Sequence, residues 1–100
     1  MSLEDKLEAI KTLKRVMVRY QQWDFCAWLR DLERRLESEL GLKFLDIKED
    51  ITSEDYYFFL ELISTFSSEW TESVNSQNLV DIVNREFRGI IRQIKIDQIL

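Results

Sequence analysis

Catalysis and metal binding draw on side chains that exchange protons, coordinate cations or attack carbon, and this sequence holds few of them. It contains no histidine and one cysteine, Cys26. That removes the commonest general base, the Ser-His-Asp and Cys-His arrangements and nearly all zinc sites. With no histidine to activate it and no second thiol to resolve it, Cys26 is expected to be a small buried hydrophobe. The densest set of candidate ligands is acidic: Asp46, Glu49, Asp50, Glu54 and Asp55. It lacks the glycine and the regularly placed oxygen ligands of a calcium loop, so no metal is expected there. Gly41 and Gly89 are the only glycines, too few for a phosphate-cradling loop or a dinucleotide fingerprint. Glycosidase-type carboxylates must face each other across a cleft, whereas these acids fall on outer faces or in a connection. The expectation is a non-enzymatic protein without a cofactor.

What remains is recognition. At the start of the third helix, Glu54, Asp55, Tyr57, Phe58 and Glu61 lie within about two turns. Tyr57 falls opposite the apolar stripe of that helix and Phe58 at its edge. Aromatic anchors among acids suit an interface, the rings supplying buried area and the acids steering a basic partner. The competing reading is that these rings cover the apolar side chains of the preceding connection. Arg30 and Asp31 face away from the stripe of the second helix, as a solvated pair or as a second partner contact.

Composition sets the frame. One hundred residues with 45% hydrophobic and 33% charged side chains describe one soluble helical domain with a real core. No proline interrupts the chain. No apolar run approaches membrane-crossing length and no signal peptide opens the sequence. A single cysteine fits a reducing compartment, so the expected location is the cytoplasm. The net charge of −5 is uneven: residues 36–84 carry eleven acids against Lys43 and Lys48, while both ends are mildly basic. A nucleic-acid binder would gather positive charge on one face, and the chain as a whole does the opposite. No nucleic acid and no membrane are expected as partners.

Four helices are expected, at about residues 3–20, 25–40, 53–73 and 77–95, with a connection at 41–52. Leu3, Leu7, Ile10, Leu13, Met17 and Tyr20 draw the first stripe. Phe25, Leu29, Leu32, Leu36 and Leu40 draw the second, with Asp24 as N-cap and Trp23 stapled to Trp28. Gly41 is placed to end that helix with a positive φ. Thr52 and Asp55 make a capping box for the third helix, whose stripe is Tyr56, Phe59, Leu60, Ile63, Phe66 and Trp70. Asn75 or Ser76 caps the fourth, which carries Leu79, Val80, Val83, Phe87, Ile90, Ile91 and Ile94. Gly89 in its interior is read as a point of close helix approach. Ile96, Ile99 and Leu100 leave the stripe, so the tail either folds back or meets another copy of the chain, a route to a homo-oligomer. The fold class is all-α, a four-helix bundle of two antiparallel hairpins.

The run QWDFCAWLRDLERRL resembles the UVR motif, the short helical hairpin of bacterial excision-repair proteins and of some Clp-type chaperone ATPases and their adaptors. Trp23 takes the aromatic position and Asp24 the acid. Cys26 and Ala27 take the paired alanines, and Leu29, Arg30 and Asp31 complete the pattern. Phe25 and Trp28 depart from it, standing where the family has polar residues. The resemblance, over about residues 10–36, implies a hairpin that pairs with helical hairpins of other proteins and has no catalytic role.

Two functions fit these features best. One is a protein-interaction module or adaptor acting through helical surfaces. The other is an acidic inhibitor, such as a toxin-immunity protein, that blocks a basic active site. A structural subunit of an assembly is a third.

Overall fold

A computed structural model describes residues 1–41, 50–69 and 76–99, with side chains of the last helix up to residue 96. The described residues form five helices: α1 (Leu3–Arg19), α2 (Trp23–Leu40), α3 (Ser53–Glu69), α4 (Ser76–Glu86) and α5 (Arg88–Ile99). There is no strand among them. The all-α class stands, and the four-helix bundle is corrected, because the stretch expected as one helix over 77–95 is two. The chain divides into two compact units, Met1–Glu49 and Asp50–Leu100.

In the first unit α1 and α2 form an antiparallel hairpin. Lys14 contacts both Cys26 and Glu33, and Lys11 reaches Glu37, so positions run in opposite directions along the two helices. Leu7, Ile10, Leu13, Val16 and Met17 of α1 are buried with Phe25, Cys26 and Leu29 of α2. Leu3, placed on the same stripe by periodicity, is exposed.

The turn between these helices explains one correction. Gln21 has φ 58°, the left-handed region, which a non-glycine residue rarely adopts. Around it, the Gln22 N–H donates to the Met17 carbonyl at 3.0 Å and the Gln21 N–H to the Val18 carbonyl at 3.0 Å. This pair of bonds is a Schellman ending built on glutamine. It reverses the chain so tightly that α2 begins at Trp23, with Gln22 at the cap position and no side-chain capping bond. Asp24 is therefore not the N-cap. It sits exposed in the first turn, where its charge favours the helix dipole. The expected staple is also absent: Trp23 is 60% exposed, and Trp28 stacks on Phe25 with centroids 5.9 Å apart. Gly41 ends α2 as expected, with φ 67°.

In the second unit α3 packs on α4 and α5. The capping box forms. The Thr52 N–H donates to the Asp55 carboxylate at 2.9 Å, and the Asp55 N–H donates back to the Thr52 hydroxyl at 3.3 Å. Phe59, Leu62, Ile63 and Phe66 of α3 meet Leu79, Ile82 and Val83 of α4 in the core. Trp70, the Asn75 cap and most of the connection at 41–52 lie outside the described residues.

The division at Phe87 is slight: the Phe87 N–H still donates to the Val83 carbonyl at 3.0 Å and the Ile91 N–H to the Phe87 carbonyl at 3.2 Å. The Phe87 ring lies 5.4 Å from that of Phe59, and Gly89 follows two residues later. Glycine is a weak helix former, so the helix is locally weakest there. A Cβ at Gly89 would meet nothing within 4 Å, which corrects the expectation of a close helix approach.

Candidate functional site

The seven residues expected to meet a partner separate into three environments. Glu54, Tyr57 and Glu61 share the outer face of α3 at three- and four-residue steps, and all three are exposed. Tyr57 is 51% exposed, and Phe58 beside it is half-buried. Asp55 is corrected: it is 0% exposed, turned inward as the reciprocal partner of Thr52. An acid that holds a helix cap inside the core is not on offer to a partner. Arg30 and Asp31 are exposed on α2, in the other unit.

Tyr57 leads inward to a second feature. Its ring meets that of Tyr56 edge-on, with centroids 5.6 Å apart. The Tyr56 hydroxyl donates to Asn84 Oδ1 at 2.8 Å, tying α3 to α4. Partial burial pushes the Tyr56 phenol above its ordinary value, and the neighbouring Tyr57 adds to the shift, so the hydroxyl keeps its proton. Beside this bond lies a pocket of about 460 Å³, lined by Tyr56, Asn84, Arg88, Ile91, Arg92 and Lys95. Arg88, Arg92 and Lys95 follow one face of α5 at steps of four and three. None of the three makes an ion pair with a described residue. Sequence reasoning missed this pocket. The spacing of the cations was readable, as was Asn84 four residues before Arg88, but their meeting with Tyr56 of α3 is not written in helical spacing.

A third cluster crosses the first hairpin. Glu33, buried on α2, accepts from both Lys11 and Lys14 of α1, and Lys11 also donates to Glu37 at 3.0 Å. Burial alone would push the Glu33 carboxyl up. The two lysines outweigh it and hold the group below the usual carboxylate range. Burial likewise opposes the charge on Lys11, and its two glutamate partners overcome it, raising the ammonium. Each charge has a partner, so the cluster is structural. Cys26 is buried, its Sγ 3.9 Å from the Lys14 carbonyl. Burial pushes its thiol up, and the Lys14 charge offsets part of that. A thiol kept protonated is a poor nucleophile.

No protein-family model, curated protein or solved structure matches the chain. Nothing in these comparisons ties it to the UVR motif. No described helix is long and apolar enough to cross a membrane.

Proposed function

We propose that the chain is a non-enzymatic interaction module that docks a protein with a basic surface through the outer face of α3. The observation that carries this reading is Tyr57, half exposed between the exposed carboxylates of Glu54 and Glu61 and outside the core. A tyrosine supplies a large, stiff contact area, and the flanking acids select and orient a basic partner. The resemblance of Trp23–Asp31 to the UVR hairpin supports the same class. The antiparallel α1–α2 pair that carries those residues leaves Arg30 and Asp31 exposed.

The test is quantitative capture of binding proteins by the wild type and by Tyr57→Ala, with thermal melts of both. Docking through α3 expects a partner whose affinity falls at least about fivefold in the variant, the conversion of about 1 kcal/mol, with the melt unmoved. Loss of thermal stability with affinity intact would make Tyr57 a packing residue. A captured partner that is an enzyme and loses its activity on binding would assign the same face to an inhibitor rather than an adaptor.

A further inference from the structure

The pocket beside Tyr56 has no role in that docking. We propose that it binds a small organic phosphate, held by Arg88, Arg92 and Lys95 with Asn84 and Tyr56 at its side.

Charge is the first argument. In a chain of net charge −5, three cations line one opening without a described counter-ion. Like charges four residues apart on a helix disfavour each other by a few tenths of a kcal/mol. An anion in the pocket removes that repulsion. Arginine forks match the paired oxygens of phosphate and carboxylate, and a lysine adds a mobile point charge.

The number of cations selects between those anions. A phosphate monoester carries roughly −1.5 to −2 at neutral pH with three acceptor oxygens, against a single charge for a carboxylate. Polar and apolar walls then suit an organic body. Asn84 has its Oδ1 occupied by Tyr56, and its NH2 makes no hydrogen bond to a described residue, so that donor is left for the ligand. Ile91 and the Tyr56 ring supply apolar contact. The volume of about 460 Å³ lies within the range of small-molecule pockets.

Size excludes the larger phosphate sources. Membrane recognition through basic clusters draws on about four to eight cations, and nucleic-acid affinity grows with each phosphate neutralised. Three cations on an acidic chain fit one small ligand.

The experiment is titration of the full chain, followed by backbone amide NMR at constant ionic strength. The probes are glycerol 3-phosphate, inorganic pyrophosphate and acetate. The phosphates are expected to give saturable shifts gathered on α5 and at residues 56 and 84, and acetate none. Arg92→Gln and Arg88→Gln, both at exposed positions, are expected to weaken binding at least tenfold with unchanged helix content. Tyr56→Phe, which keeps the ring, is expected to weaken it less. The proposal is overturned by shifts that never saturate, by equal response to acetate, or by full affinity in both arginine variants. Binding seen only with vesicles of anionic phospholipid, or only with an acidic peptide, would overturn it in favour of a macromolecular surface.

Discussion

Lys11 and Glu33 stand 2.7 Å apart across the α1–α2 hairpin, with Lys14 on the other oxygen of the same carboxylate. The pair joins residues twenty-two positions apart and puts a charge inside a helical interface. Glu33→Gln keeps the shape, removes the charge and leaves two lysines without their central partner. The expected cost is about 1–3 kcal/mol, since the lysines retain some solvent. The sign with pH follows from the lowered carboxyl. Its stabilisation is present in full above the ordinary carboxylate value and is lost as pH falls through the depressed one. Urea unfolding at a series of pH values should show an acid limb in the wild type that is shallower in Glu33→Gln.

Gln21 and Gly41 occupy the same left-handed region with opposite chemistry. Gln21→Gly relieves the Cβ clash and loosens the unfolded chain, for a net gain of up to about 1 kcal/mol. Gly41→Ala places a Cβ where φ is 67° and is expected to cost about 1 kcal/mol, although the site is spacious. Denaturant midpoints moving in the same direction for both variants would contradict this pairing.

Gly89→Ala is expected to stabilise. The added methyl has open space and the backbone there is ordinary helix, so the intrinsic preference for alanine, up to about 1 kcal/mol, is available. A fall in melting temperature would show that the α4–α5 junction depends on glycine for more than propensity.

Cys26 should react slowly with a thiol reagent in the folded protein and rapidly once unfolded. Burial and a raised thiol value act together against attack. Fast stoichiometric labelling under native conditions would reopen redox chemistry at this position.

How much of this was legible in the sequence depended on the range of the physics involved. The Thr52–Asp55 box and the Gly41 ending are local patterns and appear as read, whereas the α1 stripe is buried from Leu7 to Met17 but not at Leu3, and on α2 only Phe25 and Leu29 of the expected stripe are buried. The Gln21 turn was hidden because its conformation is signalled by glycine, and here glutamine adopts it. The division at Phe87 was hidden because the apolar spacing from Leu79 to Ile94 runs on through it. Asp55 was read both as a capping partner and as a surface acid, and only burial separates those roles. Among site residues, Glu54, Tyr57 and Glu61 follow from helical spacing. The Glu33 cluster and the α5 pocket join residues distant in sequence, and spacing along one helix carries no record of what lies across from it.

α5, which carries the three cations of the pocket, is lightly held. None of its described side chains is buried, and Ile96 is exposed, whereas α3 contributes Phe59 and Phe66 wholly enclosed. Amide protons of α5 are therefore expected to exchange with deuterium through a local opening that leaves α3 closed, at a lower free energy than global unfolding. A ligand gripping Arg88, Arg92 and Lys95 would slow that exchange and leave the α1–α2 amides untouched. The last helix would then report occupancy as a change in protection, readable without any change in shape.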